Sequence, residues 1–197
     1  IAAEKLPPNI GIEWSGLSYQ EKKQSGQTGI VILLAFLFVF LFLAAQYESW
    51  SVPIAVLMSL PAACIGAFIG IGIFGLENNV YFQIGIVMLI GMAAKNAILI
   101  VEFAKEQVEK GVDVVEAAVI AGTMRFRPIV MTSLTFILGM LPLLWASGPG
   151  SVSRQSIGVG IFSGMLVAMT IGIILVPFFF VWIYKIKERV KSKRENK

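Results

Sequence analysis

Long apolar runs separated by short charged segments make up most of this chain. Five of the runs have the roughly 20 residues that a helix needs to cross a hydrocarbon core of about 30 Å. They are Thr28–Ala45, Val52–Gly75, Val80–Val101, Pro128–Ala146 and Ser156–Tyr184. None of them alternates polar and apolar positions, as the strands of a membrane barrel do. The pattern therefore predicts an all-α polytopic membrane protein, with a five-helix transmembrane bundle over residues 28–184.

Charge is scarce and unevenly placed. Asp, Glu, Lys and Arg make up 14% of the chain, against about 25% in an average soluble domain. The basic tail at 185–197 favours a cytoplasmic C-terminus, because positive loops stay on the cytoplasmic side. A specific site for anionic lipids is the alternative reading of that tail. Five spans then place residues 1–27 outside the cytoplasm.

Two segments outside the apolar runs carry predictions of their own. Asn9–Ser15 alternates enough to predict a short strand, which cannot bury a core by itself. We therefore interpret residues 1–27 as the end of an extracytoplasmic, porter-like domain, and the chain as part of a longer protein. Apolar residues recur at helical spacing in the region around 104–124, which predicts an amphipathic helix on the cytoplasmic membrane surface.

Small residues predict how the helices pack. The fifth run places Gly160, Gly164, Ala168 and Gly172 at four-residue spacing, and the second run contains Gly66 and Gly70. Such ridges let helix backbones approach closely in lipid, where apolar side chains give no net drive to associate. Proline lies inside three of the runs, as Pro61, Pro142 and Pro177, where it predicts kinks.

Composition argues against metal and enzyme chemistry. Cys64 is the one cysteine and there is no histidine, so a zinc or copper site is not expected. The chain has no Ser-His-Asp set and no phosphate-binding loop. We expect neither an enzyme nor a resident cofactor.

Lys95 is the most informative residue, because it interrupts the third apolar run. An ammonium at this depth costs at least ~2.5–3.5 kcal/mol. It lies roughly 9 Å from the inner end of the run at 1.5 Å per residue, so a snorkelling lysine is one reading. The neighbouring Asn96, and Gly91 on the same helical face, favour burial in a helix bundle with an acidic partner. No acid of this chain is placed to pair with it, so that partner is expected from elsewhere.

Arg125 and Thr132 are seven residues apart, and they share a face if one helix carries both. The simpler reading is that Arg125 and Arg127 are ordinary positive-inside anchors, with the Thr132 hydroxyl bonded to a carbonyl one turn earlier.

Three strings at ordered spacing, with a fourth upstream, resemble one family. They are Leu43–Ser51, Gly91–Ala104, Arg125–Ser133 and Trp14–Glu21. They look like the hydrophobe/amphiphile efflux branch of the resistance–nodulation–division (RND) transporters, and the resemblance covers essentially the whole chain.

The resemblance implies a structure and a function. The five spans would correspond to helices eight to twelve of a twelve-helix protomer in the inner membrane. The family pump is a homotrimer that exchanges protons for amphiphilic drugs, together with a periplasmic adaptor and an outer-membrane channel. Its proton relay pairs acids of the fourth helix with residues that match Lys95, Arg125 and Thr132, and Asn96 matches a neighbouring position. Protons are the coupling ion, and the acids belong to an N-terminal half outside this chain.

Two other readings stay open at this point. One is a related branch of the superfamily that exports lipids or metals or assists protein translocation. The Tyr47–Trp50 turn favours the drug branch, and the eight methionines form no cluster typical of a metal exporter. The other reading is a membrane fragment that does not transport.

Overall fold

Seven helical segments build the described part of the structure. The computed structural model describes Tyr19 and residues 28–47 and 50–195, of which residues 28, 51 and 187–195 are described by their backbone alone. The segments are α1 (Thr28–Tyr47), α2 (Ser51–Phe74), α3 (Val80–Glu109), α4 (Val114–Leu144), α5 (Ser151–Val167), a π-helical turn (Ala168–Gly172) and α6 (Ile173–Glu195). The predicted strand at Asn9–Ser15 lies outside the described residues.

The five predicted spans are confirmed as helices. Within the described part of the chain, five helices are long and apolar enough to cross a membrane, and α5, the π turn and α6 together form the fifth of them. The all-α fold class is therefore as the sequence predicts. Pro61 and Pro142 lie inside uninterrupted α-helices, whereas the π turn comes shortly before Pro177.

The α2–α3 hairpin is closed by local capping and fastened to the fifth span. Gly75 ends α2 with φ of 65°, a left-handed conformation that suits glycine. Asn79 then caps α3, because its side-chain oxygen accepts a hydrogen bond from the Phe82 backbone N–H at 2.9 Å. Its amide nitrogen donates to the Ser156 hydroxyl at 2.8 Å. One residue thus starts a helix and ties it to α5.

The predicted helix at about 104–124 is divided between two longer helices, which differs from the sequence-based expectation. Helix α3 continues to Glu109, and α4 starts at Val114 and runs through Pro128 without a break. The break between them has a local cause. Gly111 has φ of 90°, and the Asp113 carboxylate caps α4 by accepting from the Val115 N–H at 3.0 Å. A location on the membrane surface remains a prediction.

The fifth span is the centre of the bundle, and α1 is its edge. Helix α5 packs against α2, α3 and α4, while α1 packs against α2 and α3. Only 6% of the apolar window of α1 is buried, so most of its large side chains point away from the other described helices. That face is free for lipid or for further protein.

Glycines permit the closest helix contacts, as the small-residue pattern predicts. A Cβ atom added at Gly66 would lie 2.6 Å from the Val167 Cβ, and one at Gly70 would overlap Ser163. On the other side of α5, a Cβ at Gly160 would lie 2.7 Å from the Phe82 ring. Gly164 is blocked in the same way by a leucine of α3. Gly172 is the exception in the ridge, since a Cβ there meets no atom within 4 Å.

The Gly70 contact gives a direct test of this packing. Ser163 cannot swing aside easily, because its hydroxyl donates to the Val159 carbonyl at 2.7 Å and its Cβ is itself in the way. We expect Gly70→Ala to push α2 and α5 apart and to destabilise the protein by about 1–3 kcal/mol, as overpacking does. Thermal unfolding of the purified membrane protein measures this.

Gly72→Ala is the matched control, because it lies on the same helix with open space around its Cβ position. It should leave the melting temperature unchanged or raise it, since alanine favours helix over glycine. Equal shifts in the two variants would contradict the close approach of α2 and α5.

Candidate functional site

Lys95 lies near the middle of α3 and is exposed along an open cleft between α1 and α3. The cleft has a volume of about 430 Å³, and every other side chain that lines it is apolar. These are Phe38, Val39, Phe42 and Leu43 of α1, with Gly91, Ala94, Ile98 and Leu99 of α3. Lys95 has no hydrogen-bond or ion-pair partner among the described residues. The structure thus presents an ammonium group in an apolar groove.

The expected burial of Lys95 is not achieved by the helices described here. Gly91 lies beside it in the cleft, as the shared helical face predicts, yet a Cβ on Gly91 would meet no atom within 4 Å. Helix α1 is therefore too far away to close over this face of α3. The glycine keeps the groove open next to the charge.

Asn96 points to the other side of α3 and joins it to α4. Its side-chain amide donates to the Ser133 hydroxyl at 3.0 Å, and Ser133 is only 1% exposed. Hydrogen bonds of this kind are a common link between membrane helices. Sequence reasoning missed Ser133 as a partner. The serine stands beside Thr132, but its separation of 37 residues from Asn96 gives no local signal.

Arg125 packs on α3 through an aromatic ring. Its guanidinium carbon lies 4.9 Å from the centroid of the Phe103 ring, within the range of a cation–π contact. Its Nε atom is buried without a hydrogen-bond partner among the described residues. Because buried donors are normally satisfied, an unpartnered Nε atom is unusual at a buried position.

Thr132 makes a local hydrogen bond. Its hydroxyl donates to the Ile129 carbonyl at 3.1 Å, which is the simpler of the two readings of this residue. The side chain is otherwise exposed. Among the described residues, no contact joins Lys95 to Arg125 or Thr132.

The four predicted relay residues therefore fall into two groups. Asn96 and Arg125 hold α3 against α4, through Ser133 and Phe103. Lys95 and Thr132 are exposed and make no contact with another described helix through a polar atom. Within the described part of the chain, two basic groups face positions where an acceptor would complete them.

Comparison with known proteins places these residues in a family. The sequence profile of the AcrB/AcrD/AcrF family matches residues 1–184, which include all four predicted site residues. The chain is 53% identical over 179 residues to the toluene efflux pump membrane transporter TtgB of Pseudomonas putida. It is 48% identical over 180 residues to the multidrug export protein AcrF of Escherichia coli. Each match covers 91% of this chain.

A third relative, the multidrug resistance protein MdtF of Escherichia coli, is 47% identical over 189 residues. The matches cover 17% of TtgB and of AcrF and 18% of MdtF, so this chain spans about one sixth of the length of these relatives. The match over nearly the whole chain and the five membrane-crossing helices agree, and this multi-pass membrane protein belongs to the AcrB/AcrD/AcrF family of the RND efflux transporters that its motifs resemble.

Proposed function

We propose that this chain forms the C-terminal membrane part of a proton-driven antiporter that exports amphiphilic compounds. Relatives at about 50% identity are named for toluene efflux and for multidrug export, which favours this substrate class. Because the chain spans about one sixth of their length, the drug-binding domains would belong to the rest of the protein. An inner-membrane homotrimer, working with a periplasmic adaptor and an outer-membrane channel, is the assembly that the family resemblance implies.

The observation that carries the proposal is the environment of Lys95. An ammonium group in an apolar cleft of a membrane helix is costly unless it is paired, and the described residues offer it no carboxylate. Intramembrane lysines of this kind commonly mark ion and proton pathways. We infer that an acid-bearing helix of the same protein packs over this cleft. The resemblance points to the acids of the fourth helix.

This arrangement couples protons to helix movement. With the acids ionised, Lys95 is held by charge pairing. When a proton neutralises an acid, that acid no longer attracts Lys95. The lysine side chain then turns towards other polar groups on α3 and α4, of which Arg125 and Thr132 are the ones that the family resemblance assigns to the relay. Moving one charge through 100 mV yields about 2.3 kcal/mol. The two states of the relay must therefore be nearly equal in free energy for protons to switch them.

Asn96 has a positional role in this proposal. Its hydrogen bond to Ser133 fixes how α3 is rotated against α4. Since Lys95 is the preceding residue, that rotation also sets the direction of the ammonium group towards the cleft. A change in one contact of α3 is thereby passed to α4 and to Arg125.

The orientation in the membrane follows from the basic residues. The α3–α4 turn lies close to Lys105 and Lys110, and both pair with glutamates one turn away, at 3.6 Å and 2.7 Å. The opposite turn, Leu76–Asn79, contains no Lys or Arg. By the positive-inside rule, the α3–α4 turn and the C-terminus are cytoplasmic, and the N-terminus is periplasmic.

Replacement of Lys95 tests the relay. We expect Lys95→Met in the complete protein to abolish export, because the methionine keeps the apolar stem and removes the charge that senses protonation. Accumulation of a fluorescent amphiphile in cells, and proton-driven transport in proteoliposomes, should both fall to the level of cells or vesicles without the protein.

Lys105→Met is the matched control on the same helix. Lys105 pairs with Glu109 and lies 5.9 Å from the Tyr47 ring centroid, away from the cleft, so export should persist. Proton-coupled export that survives Lys95→Met would refute the relay. Absence of both drug export and drug-driven proton release in the unaltered complete protein would point to one of the related branches.

Orientation is tested by cysteine labelling, after removal of Cys64, the one cysteine of this chain, and of any cysteine in the rest of the protein. In a Cys64→Ala background, we expect Glu77→Cys to react with a membrane-impermeant maleimide added to cells with a permeabilised outer membrane. Lys110→Cys should react only after the inner membrane is opened. Both positions are exposed, so the reverse pattern would mean that the topology is inverted.

A further inference from the structure

Gly172 is a buried glycine that neither helix packing nor backbone geometry explains. The other buried glycines of the described residues each have atoms of a neighbouring helix where a side chain would stand: Gly66, Gly70, Gly85, Gly158, Gly160 and Gly164. At Gly172 a Cβ would meet no atom within 4 Å. Gly172 does not have a positive φ, so its backbone conformation is open to any residue. Glycine here leaves space inside the bundle.

That space is a small cavity between α2, α3, the π turn and α6. It has a volume of about 20 Å³, and about 10–15 Å³ is enough to hold one water molecule. Gly172 lines it together with apolar residues, among them Ile100, Ile173 and Val176. Two residues on the lining are polar, Ser59 of α2 and Asn96 of α3.

Both polar residues have hydrogen-bond acceptors left over. The Ser59 hydroxyl donates to the Val56 carbonyl at 2.7 Å, which uses its proton and leaves its oxygen able to accept. The Asn96 amide nitrogen donates to Ser133, and the Asn96 carbonyl oxygen has no partner among the described residues. The cavity thus brings together two oxygen acceptors, and among the residues that line it the second N–H of the Asn96 amide is the one side-chain donor left over. A water molecule supplies two donors in one small volume.

The π turn adds a reason for polar chemistry at this point. A π turn widens the helix and disturbs the regular hydrogen-bond ladder, and such turns are frequent at functional sites. The widened turn also places Gly172 and Ala168 on the wall of the cavity.

We propose that this cavity is a binding site for a single ordered water molecule, which donates hydrogen bonds to Ser59 and to the Asn96 carbonyl oxygen and so joins α2 to α3 at the π turn. The water donates to the carbonyl oxygen of the Asn96 amide, whose nitrogen donates to Ser133. Gly172 keeps a side chain out of this site, which it lines with its backbone. The site does not depend on the proposed transport function.

Filling the cavity distinguishes a water site from a packing defect, because the two predict opposite changes in the melting temperature. In the complete protein, Gly172→Ala adds a methyl group at the wall of the cavity. Displacement of the water by that group removes the donors to the Ser59 and Asn96 oxygens, which is unfavourable. We expect its melting temperature to fall by several degrees. In an apolar, unhydrated cavity the same methyl group would fill space and favour the helix, and the melting temperature would rise.

Gly139→Ala is the control, since Gly139 lies inside α4, is exposed and has open space at its Cβ position. It should not lower the melting temperature. A rise or no change with Gly172→Ala would overturn the proposal.

Radiolytic labelling in ¹⁸O-water gives a second measurement that does not depend on how the variant folds. A water held in the bundle should add ¹⁸O to Ile173 or Val176 in the unaltered protein, with slow exchange, and the label should be lost in Gly172→Ala. If these residues take up no label in the unaltered protein, the cavity holds no water and the proposal is wrong, whatever the melting temperatures show.

Discussion

Helix α2 meets α5 at two glycines, where the backbone of α2 lies directly against side chains of α5. Gly66 and Gly70 face Val167 and Ser163, and neither glycine has room for a Cβ atom. On its other side α5 receives Phe82 and Leu89 of α3 in the same manner, at Gly160 and Gly164. Lipid gives apolar side chains little reason to prefer one another, so this fit is what positions the other helices. The fifth span is a core around which α2, α3 and α4 are placed.

The polar groups of α3 depend on that core. With one face of the helix held by α5, Asn96 is turned towards α4 and Ser133, and Lys95 towards the cleft beside α1. Adjacent residues thus serve two different faces of the helix. Asn96 makes a hydrogen bond inside the bundle that fixes the helix, and Lys95 presents a charge that the described residues leave unpaired. The proposed relay needs both, because a charge can switch between partners only against a frame that stays in place.

The fifth span changes its geometry where it leaves this core. Its first half is a regular helix rich in glycine contacts, and its second half starts after the π turn, with Pro177 shortly beyond. The small-residue ridge ends at the same place, since Gly172 contacts nothing that a Cβ would meet. Tight packing gives way to a small cavity lined by Ser59 and Asn96. The bundle accommodates both close packing and a polar site because the two lie at different positions along the fifth span.

Apolar run length by itself determined the number of membrane helices, because the thickness of the hydrocarbon core allows few other solutions. Glycine spacing in the same way predicted which helices approach closely, although it did not distinguish Gly164, which is packed, from Gly172, which borders a cavity. The short string of residues around Lys95, with those around Arg125 and Thr132, was enough to predict the family.

Only the tertiary structure decided which polar groups meet. The pairing of Asn96 with Ser133 joins residues far apart in the chain, and the stacking of Arg125 on Phe103 depends on how α3 and α4 cross. The division of residues 104–124 between two helices also escaped periodicity, because a turn at Gly111 hardly alters a helical pattern on either side of it. Sequence patterns report the environment of one helix at a time. Contacts between helices depend on rotation and distance, which the packing of the whole bundle sets.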